Sequence, residues 1–391
     1  MSGLKFSRCC RVVAAMTAVF AVAACGGNGG DGGGGGSTAG ATQGSTDQSA
    51  NVPTLDELYK GLSTAPPTEG PPVAKDKSLW FVTCSSAVAS CQQPAVSGKE
   101  AAEKLGWKAT VVDGKYDQGG AWSAGITGAV AAGADGLVLV GLDCQNVQQP
   151  IRQARDAGLH ILSVYTSDCD PPLFDVAMMY GESIPSTDAW DYQIGANSAN
   201  YVIAKSNGKA KILASHNTSE KAPQIVDKGF KETLEANCPD CKIVNSFGYQ
   251  SVEFVPNGPW IQNLRSQLTK FGSQADAVFL QWDVMSAELG GAAAVREAGL
   301  KDALVFGGLG LPQTLDQVRQ DKLTAVTAAM SQDWVGYAAV DEMNRAFNGE
   351  KSVPEGLGFA IVDKTHNLPP AGQPYEPDVD WKAAYQKLWG M

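Results

Sequence analysis

Short apolar runs alternate with amphipathic stretches along most of this chain, and that alternation limits the fold more than any other feature. "SLWFVT" at 78 to 83 reads as a buried strand, "AVSGKEAAEKLG" as a helix and "WKATVVDG" as the next strand. A helix over "AWSAGITGAVAAG" leads to the strand "DGLVLVGL", and "NVQQPIRQARDAG" leads to the strand "HILSVY". Strands that are apolar throughout, separated by helices of about 10 to 15 residues, belong to a parallel sheet covered on both faces. The first half of the chain is therefore expected to form a doubly wound α/β lobe.

After "DVAMMYG" the scheme restarts with a helix over 186–206, the strand "KAKILAS", the helix "KAPQIVDKGFKETLEAN" and the strand "KIVNSFGY". The helices "PWIQNLRSQLTKFG" and "SAELGGAAAVREAG" precede the strands "ADAVFLQW" and "DALVFGGL", and the strand "LTAVTAAM" follows. A helix over "WVGYAAVDEMNRAFNG", a strand "GFAIVDK" and a last amphipathic helix in "DWKAAYQKLW" complete the pattern. Single cores usually split beyond about 250 to 300 residues, and roughly 320 residues carry this pattern, so two lobes of the same build are expected.

The start of the chain is of another kind. Lys5, Arg8 and Arg11 precede an apolar run from Val12 to Ala24. That is the layout of a secretory signal peptide, and it is shorter than the roughly 20 residues of a membrane span. Val22-Ala23-Ala24-Cys25 resembles the bacterial lipobox, in which the cysteine is lipidated and becomes the first mature residue. Glycine- and serine-rich sequence then runs to about residue 50 and reads as a flexible tether. "TLDELYKG" is a short helical candidate, and the prolines of "APPTEGPP" mark the end of the linker. Export, a lipid anchor on the outer face of the cell membrane and a leash are the expectation.

Without the leader the chain keeps 27 Lys and Arg against 41 Asp and Glu, a net charge of −14, so the clustered basic footprint that nucleic acid requires is not expected. A soluble body fits the 44% hydrophobic content. Of the nine cysteines, Cys9 and Cys10 leave with the leader and Cys25 carries the lipid. Six remain, and an even number in an exported chain favours disulfides. Local spacing pairs Cys84 with Cys91 and Cys238 with Cys241, which leaves Cys144 with Cys169, although six cysteines permit about 15 connectivities.

Four phrases, "KEAAEKLGWKATVVDG", "GITGAVAAGADGLVLVGLD", "IRQARDAGLHILSVYTSD" and "AAAVREAGLKDALVFGG", carry a resemblance in their order and spacing. Over about residues 76–367 the chain resembles the type I periplasmic sugar-binding proteins, the ribose- and galactose-binding receptors of ABC importers. The resemblance implies two doubly wound parallel-sheet lobes joined by a three-crossing hinge. Lobe one would comprise 74–181 plus 331–357 and lobe two 182–330 plus 358–391, behind a signal peptide at 1–24 and a lipidated linker at 25–73. It would also bring Cys144 and Cys169 to the ends of neighbouring parallel strands about 4.8 Å apart, within reach of a disulfide.

In open α/β sheets ligands bind beyond the carboxyl ends of the strands. On that basis the contacts expected from lobe one are Ser85, Ser86 and Gln92, then Asp143, then Tyr165, Thr166 and Asp168. Lobe two would offer His216, Asn217, Trp282, Asp283 and Leu309, with Met330 near a hinge crossing. Ribose-type binders carry an Asn-Asp pair where this chain has Trp282-Asp283, an aspartate where it has Leu309, and a glutamine where it has Met330. An unpaired buried polar group costs about 1 to 3 kcal/mol, so the loss of these partners points away from a fully hydroxylated sugar held in the usual way. A sugar, polyol or related solute with an apolar face is expected, with no cofactor, no metal and a monomeric chain.

"CPDC" at 238–241 resembles the dithiol of thioredoxin-like enzymes, but it follows a helix instead of opening one, so the helix N-terminus that lowers a thiol's pKa is missing. "AWSAG" around Ser123 has Ala121 where a nucleophile elbow needs glycine. The three histidines, His160, His216 and His366, are scattered, and "GGLGLPQ" lacks the lysine of a phosphate loop.

The expected function is a non-enzymatic, lipid-tethered receptor that passes a small solute to an ABC importer permease, the alternative being an exported thiol oxidoreductase using Cys238 and Cys241. Alkylation of the native protein separates them. Three structural disulfides leave no thiol to label, whereas a rapidly alkylated low-pKa thiol at Cys238 would contradict a purely receptor role.

Overall fold

The computed structural model describes residues 52–391, so the leader, Cys25 and the glycine-rich tether lie outside the described residues. Two sheets organise the rest. The first contains β1 (Ser78–Thr83), β2 (Lys108–Asp113), β3 (Gly136–Val140) and β4 (His160–Val164), all parallel in the order β2-β1-β3-β4. The second contains β5 (Lys211–Asn217), β6 (Lys242–Tyr249), β7 (Ala277–Phe279), β8 (Leu304–Phe306), β9 (Ala325–Ala329) and β10 (Ala360–Asp363). Its order is β10-β9-β8-β7-β5-β6, with β10 antiparallel at the edge.

After α1 (Leu55–Lys60), the helices of the first lobe are α2 (Ala89–Lys104), α3 (Ala121–Ala131) and α4 (Gln148–Asp156). Those of the second lobe are α5 (Thr187–Lys205), ahead of its first strand, and α6 (Lys221–Asn237), α7 (Pro259–Phe271), α8 (Gly291–Glu297) and α9 (Pro312–Arg319) between its strands. The chain then runs through α10 (Gln332–Phe347), β10 and α11 (Trp381–Leu388). This is the α/β architecture expected from the alternation. Leu137 to Val140 in β3 are all fully buried, as a central parallel strand covered on both faces requires.

Helix α9 was not expected, because Pro312 and the glycines before it read as a turn; proline is well placed at the first position of a helix. The single helix expected over "SAELGGAAAVREAG" is broken at Gly290 into a π-helical turn, Val284–Glu288, and α8.

Two boundaries differ from expectation. The linker does not extend to residue 73, since residues 52–73 are held against the body. A Thr54–Glu57 capping box starts α1, which buries Leu58. Beyond it Leu62 N–H donates to Phe359 O at 2.9 Å, Thr64 N–H to Gly356 O at 2.8 Å, and Arg345 to Glu69 O at 2.8 Å. The prolines that extend this segment leave its other backbone groups free to pair. At the other end, α11 packs on α10 and not with the second sheet. Trp381, Tyr385 and Trp389 recur every four residues and so share one helix face. Trp381 stacks on Trp334 with centroids 6.0 Å apart, Trp334 Nε1 donates to Tyr385 at 3.1 Å, and Trp389 Nε1 donates to Asp341 at 2.8 Å.

Three disulfides join Cys84 to Cys91, Cys144 to Cys169 and Cys238 to Cys241, with Cα separations of 5.8, 5.3 and 5.3 Å. Cys238 caps the C-terminal end of α6 and is buried, so the positive end of a helix dipole is not beside it.

Helices α5 and α6 touch backbone to backbone. A Cβ at Gly195 would lie 2.0 Å from Val226 O, and one at Gly229 would lie 2.1 Å from Tyr192 O. Neither obstacle is a side chain that can rotate away. Gly195→Ala is expected to push the helices apart and destabilise the fold by about 1 to 3 kcal/mol, read as a lower Tm. An unchanged Tm would mean that the helices do not meet in this way.

Candidate functional site

The order of the strands locates the site before any side chain is considered. In a doubly wound sheet the ligand crevice opens where the strand order reverses, beyond the carboxyl ends of the strands. The reversal falls between β1 and β3 in the first sheet and between β5 and β7 in the second. The segments leaving these four strands face one another across a cavity of about 210 Å³. Cys84 and Cys91 line it after β1, Gly141 and Asp143 after β3, Glu220 after β5, and Trp282 and Asp283 after β7. Drug-sized ligands occupy about 300 to 1,000 Å³, so this cavity suits something smaller.

Most of the wall is aromatic. Trp122 and Tyr116 come from the first lobe, Phe254 and Trp282 from the second, and Tyr165 and Trp190 close the back. Each of the inner rings is fixed. The Trp122 indole N–H donates to Cys84 O at 3.1 Å. Tyr165 has a positive φ of 60°, a conformation that side chains other than glycine adopt at a cost. Its backbone N–H donates to the Tyr180 hydroxyl at 3.1 Å and its own hydroxyl donates to Gln332 at 3.0 Å. The Tyr165 ring stacks on Trp190 with centroids 6.0 Å apart. The Cys84–Cys91 bridge packs over Gly141, where any Cβ would come within 2.8 Å of Cys91 Sγ.

The polar part of the wall is acidic. Asp283 is buried, and its carboxylate accepts the backbone N–H groups of Leu309 at 2.7 Å and Leu311 at 3.2 Å. The glycine-rich turn therefore spends its donors on Asp283, which explains its composition without a phosphate. Burial raises the pKa of Asp283, and the two backbone donors oppose the rise. Glu220 accepts from Asn217 and, at 2.7 Å, from Ser251. Asp143 reaches across the cleft to accept Lys221 N–H at 3.2 Å; burial raises its pKa, the Lys221 donor lowers it, and the charge of Glu220 raises it further.

Asp191 differs from these. It is 2% exposed, and its Oδ2 has no hydrogen-bond partner among the described residues. Desolvation holds its carboxyl well above the usual range, the charges of Asp188 and Asp143 raise it further, and Lys221 pulls the other way.

Of the residues expected from the sequence, Asp143, Tyr165, Trp282, Asp283 and Leu309 line the cavity. The others lie off its wall. Ser85 is buried and accepts Ala87 N–H, while Ser86 faces solvent and donates to Asp113. Gln92 lies outside the lining, and Thr166 is buried beneath it. Asp168 gathers the N–H groups of Cys169, Leu173 and Phe174 and so shapes the disulfide loop. His216 is exposed and pairs with Ser246 at 2.8 Å. Asn217 organises its own turn by accepting Ser219 and Glu220 N–H groups. Met330 is buried with its sulfur 3.7 Å from the Tyr165 hydroxyl. Once the chain leaves a strand its side chains no longer share one direction, and position after a strand puts five of the thirteen expected residues on the wall.

Sequence reasoning missed Tyr116, Trp122, Trp190, Asp191 and Phe254, which do not directly follow the four switch-point strands. The available signal was local: "STDAWD" and "GGAWS" each put a tryptophan in the first turn of a helix whose start faces the cleft.

A larger depression, about 760 Å³, lies between the proline-rich segment 369–382 and residues such as Gln93, Gln332 and Asp333. It meets neither switch point, and the smaller, ring-walled cavity is the candidate site on that ground.

Comparison with known proteins agrees with the architecture. Residues 85–351 match the family model described as a periplasmic binding protein domain. No curated protein matches the chain. Among solved structures, an ABC transporter solute binding protein from Burkholderia graminis, in complex with D-arabinose, aligns with a TM-score of 0.60 and 19% identity over 77% of this chain and 99% of its own. The arabinose ABC transporter binding component from Shewanella sp. ANA-3 gives 0.60 and 19% over 80% and 95%. A glucose-galactose binding protein from Geobacillus stearothermophilus gives 0.63 and 18% over 74% and 98%. At these identities the likeness is one of fold.

Trp282 is half-buried on the cavity wall. Trp282→Ala is expected to weaken solute binding about tenfold or more, at 1.4 kcal/mol per decade, with little change in the Tm of the unliganded protein. A drop in stability of about 3 to 5 kcal/mol with normal binding would make Trp282 a core residue instead.

Proposed function

The chain belongs to the periplasmic binding protein family, and from that premise we propose that it is the extracytoplasmic receptor of an ABC importer, catching a small solute between its lobes. The observation that carries this reading is the meeting of two switch points around one aromatic cavity. No lysine, arginine or histidine lines that cavity among the described residues, and its two cysteines are bonded to each other. A binding role without catalysis fits such a wall. The related structures bind D-arabinose, arabinofuranose, or glucose and galactose by their descriptions, which makes a sugar, a polyol or a related solute with an apolar face the first class to consider.

The lipobox-like Val22–Cys25 and the tether after it give the receptor a reason to stay at the membrane. Linking two partners replaces dilution by an effective concentration set by the linker, about millimolar for short flexible chains. The acidic surface and the leader argue for the cell exterior and a permease partner, with no nucleic acid. The chain acts as a monomer in this reading. Lobe one is assigned residues 74–181 and 331–357, and lobe two is assigned 182–330 and 358 to about 367, with α11 on lobe one.

A thermal-shift screen of sugars and polyols followed by small-angle scattering tests the receptor reading. A ligand at 100 times its Kd stabilises the folded state by about 2.7 kcal/mol, and its binding should shrink the radius of gyration. An unchanged radius at saturation would contradict closure of the cleft.

A further inference from the structure

The cavity is supplied with carboxyl groups and ring faces. Three of its donors are already engaged, Trp122 Nε1 with Cys84, the Tyr165 hydroxyl with Gln332, and the Ser251 hydroxyl with Glu220. Anions are disfavoured by five carboxyl groups on the wall with no basic side chain among them. One carboxyl, Asp191, is 98% buried and without a partner for Oδ2, although a buried charge is normally paired. Its neighbour on α5, Trp190, and the stacked Tyr165 put two aromatic rings beside it. A cation over aromatic faces is attracted by the ring quadrupole, most strongly where water is excluded.

We propose that the solute taken by this cleft carries a positively charged amine, which pairs with Asp191 and lies against the Trp190, Tyr165, Trp122 and Trp282 rings. This deepens the receptor reading and rests on it. The rest of the solute is small and presents an apolar face to the remaining wall. The Asp143 carboxylate, which binds Lys221 N–H across the cleft, adds a second negative group when the lobes are together.

Proton linkage follows from the same geometry. The groups that act on Asp191 are Asp188 on its own helix, Asp143 after β3 and Lys221 at the start of α6, with the hydroxyls of Tyr165 and Tyr180 nearby. Burial and the two carboxylates keep Asp191 protonated above the usual carboxylate range. An ammonium favours the ionised form, so in that range it must displace a proton. Its affinity therefore rises with pH, by at most about tenfold per unit for one proton. A neutral solute that accepts a hydrogen bond from protonated Asp191 would show the opposite slope.

The test is calorimetry on the mature chain at pH 5 to 8 with choline, tetramethylammonium, putrescine and tyramine, alongside D-arabinose, D-galactose and allitol. Saturable binding of an ammonium compound that tightens with pH, and that falls about tenfold or more in Asp191→Asn at unchanged Tm, supports the proposal. Asp143→Asn serves as a second variant if Asp191→Asn does not fold, with the same loss of ammonium affinity expected. Saturation by a sugar or allitol with no response to any ammonium overturns the cationic solute and keeps the receptor. Ammonium binding that both variants leave unchanged also overturns it. If no compound of either set binds, both the cationic solute and the receptor reading lose their support.

Discussion

Trp190 is clamped between Tyr180 and Phe359, with ring centroids 4.1 and 4.0 Å away. These partners belong to two of the segments that carry the chain between the sheets, and the segments run side by side: Leu357 N–H donates to Tyr180 O at 2.6 Å and Glu355 N–H to Met179 O at 2.9 Å. The stack is fully or almost fully buried, so α5 cannot shift its first turn without opening the hinge itself. Because Asp191 follows Trp190, the same clamp holds a carboxyl where water does not reach it. Tyr165 extends the stack toward the cavity, and its positive φ is the local cost of turning its ring inward. The cleft and the hinge are in this sense one piece of packing.

A second buried network ties the ends of the chain to the first lobe. Arg345 pairs with Asp341 at 2.8 Å and reaches Glu69 O, while Tyr385 of α11 donates to Glu355 at 2.5 Å. Glu355 and Glu342 are both buried, and desolvation raises the pKa of each. Single buried ion pairs rarely add much stability, but removing one partner from a network is costly. The network brings the N-terminal segment, α10 and α11 together behind the hinge.

The alternation of apolar strands and amphipathic helices made both sheets legible, because a parallel strand covered on both faces must be apolar along its whole length. The disulfides were legible for a related reason: short spacing fixed two of them, and neighbouring strand ends brought Cys144 to Cys169. The tail was not, since nothing local says that Trp381, Tyr385 and Trp389 face α10 instead of the second sheet. For the site, position after a strand found Asp143, Trp282 and Asp283 but also selected His216 and Asn217, one pointing to solvent and the other building its own turn. Trp122, Trp190 and Asp191 come from helix starts, and only the packing of one lobe against the other brings them to the cavity. The sequence departures at Trp282 and Leu309 both fall on the cavity wall, while its acidic part depends on residues distant in sequence.

On the receptor reading, the ring-walled cavity between the two switch points is where the solute is held. A crystal structure of the full mature chain grown with a saturating solute, found by thermal shift, tests it most directly. Density for the solute is expected between Trp122 and Trp282, within hydrogen-bond distance of Asp191. Density in the proline-lined depression beside Gln93 and Lys382, with the cleft empty, would contradict it.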